Sequence, residues 1–116
     1  MDYIRFSGIF DGLEQAYGTY QVERKQNNGK STGKATVVKK PRTAELWQGH
    51  LSGEGQSIGI IPINEDNSCK WGCIDIDQYN FDHKALINKI RQLKLPLVVC
   101  RSKSGGAHVF LFTDDW

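Results

Sequence analysis

The stretch Cys73-Ile74-Asp75-Ile76-Asp77 decides how the rest of this 116-residue chain is read. Apolar and acidic residues alternate along it. Residues i and i+2 of a strand point to one face, so Asp75 and Asp77 stand side by side while Ile74 and Ile76 enter a core. Carboxylates placed that way sit roughly 7 Å apart and repel unless a cation lies between them. Oxygen-only donors suit a hard divalent ion, Mg²⁺ or Mn²⁺. An edge strand with a solvated acidic face explains the same alternation, so the neighbouring sequence has to decide.

Downstream, the pattern is clear. Asp82 is placed to cap a helix whose Leu86, Ile87, Ile90 and Leu93 share one face, and Lys94-Leu95-Pro96 ends it. Residues 97–100 read as a buried strand, and residues 107–112 as its hairpin partner. With the acidic strand at residues 71–77 the order is β-α-β-β. This is an α+β pattern, a split βαβ unit forming the first three-quarters of a ferredoxin-like, RNA-recognition-motif-like sheet. Upstream, periodicity predicts a helix over 9–16, strands over 17–22 and 35–39 around a polar loop at 26–34, and a helix capped by Thr43 and ended by Gly53. A buried strand follows over 57–63. Residues 1–68 thus form a small N-terminal α/β subdomain and residues 69–116 the front part of the catalytic-type sheet, within one compact module.

Composition narrows the class. Hydrophobic residues make up 39% and charged residues 24% of the chain, ordinary for a globular protein. No apolar run approaches the ~20 residues of a membrane span, and the acidic, mixed N-terminus does not read as a signal peptide. Three cysteines, Cys69, Cys73 and Cys100, make no disulfide framework and suit a reducing cytoplasm. Cys69 and Cys73 have a C-x₃-C spacing to which His50 or His83 could be recruited. A structural zinc needs four ligands and the second pair is not evident, so no zinc is expected, and Cys73 is expected to pack as a small hydrophobe. Trp47 and Trp71 are expected in the core, whereas Trp116, Tyr17, Tyr20 and Tyr79 are candidates for stacking on bases.

The net charge of +2 hides an uneven layout. Arg24, Lys25, Lys30, Lys34, Lys39, Lys40 and Arg42 face one acid, Glu23. Lys89, Arg91, Lys94, Arg101 and Lys103 form a second basic stretch. An acidic centre flanked by cations suits an enzyme that handles polyphosphate or nucleic acid. The turn Arg101-Ser102-Lys103-Ser104-Gly105-Gly106 adds glycines that admit an anion close to the backbone, hydroxyl donors and charge. His108 follows it, on the strand expected beside Asp75.

An Asp-x-Asp strand, an amphipathic helix, a buried strand and a Ser/Gly turn leading to histidine together resemble the archaeo-eukaryotic primase superfamily, the primase-polymerases. The likeness is good over residues 47–112 and is nearest to primase domains fused to helicases in phages and mobile elements, where "IGIIPI", "DNSCKWGCIDID" and "RSKSGGAHVFLF" look characteristic. The resemblance implies a nucleotidyltransferase. Asp75 and Asp77 would hold two divalent ions, and His108 would contact the outer phosphates of a nucleoside triphosphate. Arg101, Lys103, Ser102 or Ser104, Gly105 and Gly106 would assist. It implies a single-stranded DNA template, contacted by Arg24, Lys25, Lys39, Lys40 and Arg42, an associated or fused helicase, and residence in the cytoplasm of a host cell if phage-encoded. The family also carries a third acid on a later strand, for which Asp114 and Asp115 are poor matches. The chain is therefore expected to be the front part of a larger protein, completed by a downstream segment. The rival readings are a non-catalytic nucleic-acid-binding module with this fold and a metal-dependent nuclease.

Overall fold

The computed structural model describes residues 2–27 and 31–116. The chain divides into two compact units, Met1–Lys70 with Trp116, and Trp71–Asp115. The architecture is α+β, with three helices and two three-stranded antiparallel sheets among the described residues.

The first unit opens with helix α1, Tyr3–Ile9, capped by the Asp2 carboxylate, which accepts from the Ile4 amide at 3.0 Å. The pattern at 9–16 predicts a helix there instead. The backbone at 11–15 is claimed by other partners. The Leu13 amide donates to the Ile61 carbonyl at 2.9 Å, and Arg42 binds the carbonyls of Gly12 and Leu13 through its guanidinium and of Glu14 through its amide. A helix needs those groups for itself. Gly12 permits the contact, since a Cβ there would lie 2.1 Å from the Ile61 carbonyl oxygen.

Strands β1 (Tyr17–Lys25) and β2 (Ser31–Val38) pair as a ribbon, with β3 (Ile58–Gly59) on the other edge of β1. Both ribbon strands run further than the patterns at 17–22 and 35–39 predict, and the expected loop shrinks accordingly; its residues 28–30 lie outside the described residues. β3 is shorter than the 57–63 pattern predicts. Ile61 spends its carbonyl on Leu13, and Pro62 has no amide to donate.

The ribbon carries a β-bulge: Val22 faces Gly33 and Arg24 faces Thr32, leaving Glu23 as the extra residue. Bulged strands re-aim the side chains that follow. Here Arg24 joins Thr32 and Lys34 on one face, opposite Val22. On Val22's face the Tyr20 ring lies across Gly33, where an added Cβ would meet ring carbons at 2.6 and 2.8 Å.

Helix α2, Ala44–Ser52, is capped by Thr43 and ended by Gly53 at φ 74°, as the sequence predicts. It delivers Trp47, 5% exposed, to a core with Tyr17 and Ile58, against which Tyr3, Phe6, Phe10, Val38, Leu46 and Ile60 pack.

In the second unit β4 (Trp71–Ile76), β6 (Ala107–Phe112) and β5 (Leu97–Arg101) lie in the order β4-β6-β5. Helix α3, His83–Gln92, links the two outer strands, which run parallel with β6 between them. The Asp82 carboxylate caps α3 by accepting from Ala85 at 3.0 Å. Lys94 at φ 52° turns the chain out of the helix ahead of Pro96. Ile90, Ala107 and Val109 are buried, and α3 packs on β5. Ile74 shares the face of Val109 but lies on the outer strand β4 and is 61% exposed, not in the core. Leu93, the last residue of the expected apolar stripe, is 58% exposed, because the helix ends there.

Candidate functional site

The register of the second sheet builds the site. Asp75 on β4 stands opposite His108 on β6, and His108 stands opposite Cys100 on β5. These three, with Cys73 and Phe110, occupy the face turned away from Ile74, Val109 and Val99. The helix packs on β5 from one face of this sheet, and the polar residues use the other.

His108 Nε2 lies 3.5 Å from Asp75 Oδ1, with side chains 43% and 70% exposed. That distance is long for a direct hydrogen bond, so both groups keep donor and acceptor capacity for something else. The His108 ring meets Phe110 edge-on at 6.0 Å, and Phe110 stacks on Phe112 at 5.6 Å. The imidazole is thus steered by aromatic packing while its polar edge faces the carboxylate. Asp77 follows the last residue of β4 and is exposed.

The Ser/Gly turn closes against the same end of the sheet. The Ser102 amide donates to the Gly106 carbonyl at 3.1 Å, and the Gly105 amide donates to the Ser102 carbonyl at 3.1 Å. Gly105 sits at φ 92°, where a side chain is strained. A Cβ on Gly106 would lie 2.1 Å from the carbonyl oxygen of Ile76. The second glycine therefore lets the turn abut the residue between Asp75 and Asp77. The Ser102 and Ser104 hydroxyls are 3.5 Å apart; Ser102 is half-buried and held by the turn, while Ser104 and Lys103 are exposed.

Not every residue singled out from sequence joins this group. Arg101 pairs with Ala107, which places it on the α3 face of its strand, opposite to His108. Arg24, Lys25, Lys39 and Lys40 are exposed in the first unit. Arg42 turns inward instead. Its side chain is 6% exposed and bound to Asp11 at 3.1 Å, and its guanidinium carbon lies 5.9 Å from the Trp47 ring centroid. In this structure Arg42 braces the fold and does not belong to the exposed cationic surface.

The cysteines and remaining histidines have other duties. Cys73 is exposed, not packed away, because the alternation of β4 puts it on the Asp75 face. Its thiol pKa is raised, first by partial desolvation among its strand neighbours and then by the Asp75 carboxylate. His50 Nδ1 accepts from the Ile58 amide at 3.1 Å, and His83 Nε2 bonds the Gly106 carbonyl at 2.8 Å. In sequence both are candidates for a zinc site alone; nothing in local spacing marks a histidine that serves a distant backbone group. Among the described residues no three His, Cys, Asp or Glu side chains group closely enough to hold a metal by themselves, and no helix is long and apolar enough to cross a membrane.

Neither a curated protein nor a solved structure matches this chain. A family model does, over residues 7–115: the TOTE conflict system, Archaeo-Eukaryotic Primase domain.

Proposed function

The chain belongs to the archaeo-eukaryotic primase domains of TOTE conflict systems, and on that premise we propose that it transfers nucleotides from (d)NTPs to a primer 3′-OH or a first nucleotide on a single-stranded DNA template. The observation that carries this reading is the placement of Asp75 opposite His108, at the end of the sheet where a glycine turn abuts the acidic strand. On this reading the β4-α3-β5-β6 unit is a ferredoxin-like catalytic sheet.

Asp75 and Asp77 offer oxygen donors in solvent, the chemistry that Mg²⁺ or Mn²⁺ favours. Mg²⁺ commonly uses one or two carboxylates and completes its shell with water and substrate phosphate, so two aspartates suit an ion that arrives with a triphosphate. Bound there, divalent ions supply charge neutralisation at the phosphates and activation of the attacking hydroxyl.

The rest falls to the chain. Phosphoryl transfer depends mainly on positioning and fixed electrostatics. His108, steered by Phe110 and Asp75, donates from Nε2 to an outer phosphate oxygen. The turn offers Lys103 and the Ser104 hydroxyl, with glycines that admit a phosphate near the backbone. Arg24, Lys25, Lys39 and Lys40 attract the template backbone, and a helicase, fused or associated, would supply unwound strand.

Incorporation of labelled nucleotides on a defined template, with Mg²⁺ or Mn²⁺, tests the proposal. Asp75→Asn, Asp77→Asn and His108→Ala should each lower incorporation by about 10²-fold or more. Metal-dependent shortening of the oligonucleotide would identify a nuclease instead. Template binding without either reaction would identify a non-catalytic module.

A further inference from the structure

We propose that His83 is a positioning residue that holds the Ser/Gly turn in shape for a triphosphate, acting through the carbonyl of Gly106. The inference rests on the reading of that turn as a phosphate cradle.

The Gly106 carbonyl accepts twice, from the Ser102 amide at 3.1 Å and from His83 Nε2 at 2.8 Å. A carbonyl only accepts, so Nε2 must carry the proton, and neutral His83 is held as the Nε2–H tautomer. The Ser102 bond is local and closes the turn. The His83 bond crosses 23 residues and ties the closed turn to the start of α3.

That start is well anchored. His83 is the first residue of α3, directly after the Asp82 cap, and its ring stands edge-on to Phe81 at 5.2 Å and 90°. The other end of the tie is equally confined. Gly106 lies between Gly105 at φ 92° and the fully buried Ala107, which pairs with Ile76. Fixing the Gly106 carbonyl orients the Gly106–Ala107 peptide and with it the path by which the chain enters β6, where His108 is the next residue. It also fixes the closed turn that carries Lys103 and Ser104 and whose Gly106 abuts Ile76 of the acidic strand. His83 therefore touches neither phosphate nor metal in this role; it sets the geometry of the groups that do.

A binding experiment on the full chain decides this. A non-hydrolysable nucleoside triphosphate and the matching monophosphate are titrated, with Mg²⁺, into the parent, His108→Ala, His83→Ala and His83→Gln. Glutamine carries an amide N–H near the position of Nε2 and can restore the bond to the carbonyl. His83→Ala should weaken triphosphate affinity about fivefold, the worth of one ordinary hydrogen bond, with a smaller loss for the monophosphate, and His83→Gln should recover most of it. Loss in His108→Ala with none in His83→Ala overturns the role of His83 alone, as does a glutamine variant no better than alanine. An unchanged triphosphate affinity in His108→Ala overturns the cradle and the positioning role together. Should His83→Ala fail to fold, ¹⁵N NMR of the parent imidazole still decides: a His83 found as the Nδ1–H tautomer rules the bond out.

Discussion

Arg42 and Asp75 are charged residues of different units, and they are treated in opposite ways. Arg42 is 6% exposed and engaged from within, with a carboxylate, two carbonyls and an indole face around its guanidinium. Asp75 is 70% exposed, and the imidazole of His108 stands a loose 3.5 Å away. A buried charge bound by several of the protein's own groups holds the fold together. One left open to solvent beside another polar group is available to a ligand. Charge alone does not separate the two roles; the count of satisfied partners does.

Substitution should expose that contrast most sharply. Arg42→Ala removes the ion pair to Asp11 and the donors to the Gly12 and Leu13 carbonyls, and should cost about 3 kcal/mol of stability, toward the lower end for a broken buried ion pair because Asp11 is partly exposed. Asp75→Asn should cost less than about 0.5 kcal/mol, as expected for an exposed pair. Denaturant unfolding of both variants measures this directly, and equal losses would erase the distinction.

Gly106→Ala tests whether the open site nevertheless depends on tight packing. Its Cβ would press on the Ile76 carbonyl, which is backbone and cannot swing aside. A destabilisation of about 2 kcal/mol is expected, accompanied by shifted backbone NMR signals at Asp75 and His108. Unmoved signals at both would detach the turn from the acidic strand.

Smaller effects separate the exposed cations from the buried one. Changing Arg24, Lys25, Lys39 and Lys40 to Gln should reduce the salt dependence of single-stranded DNA binding by about 0.7 log–log units for each phosphate that is no longer neutralised. Arg42→Gln should leave that slope unchanged while lowering stability. A flattened slope in Arg42→Gln would return this residue to the binding surface.

The smallest expected change concerns Cys73. Its raised thiol pKa means less thiolate at pH 8 than an ordinary cysteine carries. Iodoacetamide should modify Cys73 more slowly than it modifies a cysteine in a short unstructured peptide, and Asp75→Asn should speed it modestly by removing the second cause of the shift. An identical rate in Asp75→Asn would show that desolvation alone sets the thiol.

Much of the second unit was legible because its signals are local. The Asp82 cap, the apolar spacing of Leu86, Ile87 and Ile90, and the Pro96 stop each act within a few residues, and the strand alternation placed Asp75 and His108 on a common face once β6 lay beside β4. The first unit was harder to read because distant groups decide it. A helix over 9–16 is reasonable by periodicity, but Arg42 and Ile61 take the backbone groups it requires. The inward turn of Arg42 was invisible for the same reason: in sequence it is one more cation in a basic run. Ile74 followed the alternation correctly yet is exposed, since periodicity names a face and says nothing about whether that face is covered.

The bulge in β1 has a consequence for chain-length variation. Glu23 has no opposite number on β2, while Val22, Arg24 and Lys25 keep theirs in Gly33, Thr32 and Ser31. An in-frame deletion of Glu23 would bring those three into an unbroken ladder without moving any of them to a new partner. Deleting Gln21 instead would slide Tyr20 off its place over Gly33 or force the whole outer ribbon to re-pair. Glu23 is also the one acid between Tyr17 and Val38. Within β1, Glu23 can thus be lost with the pairing intact, and losing it would make this arm of the molecule more cationic.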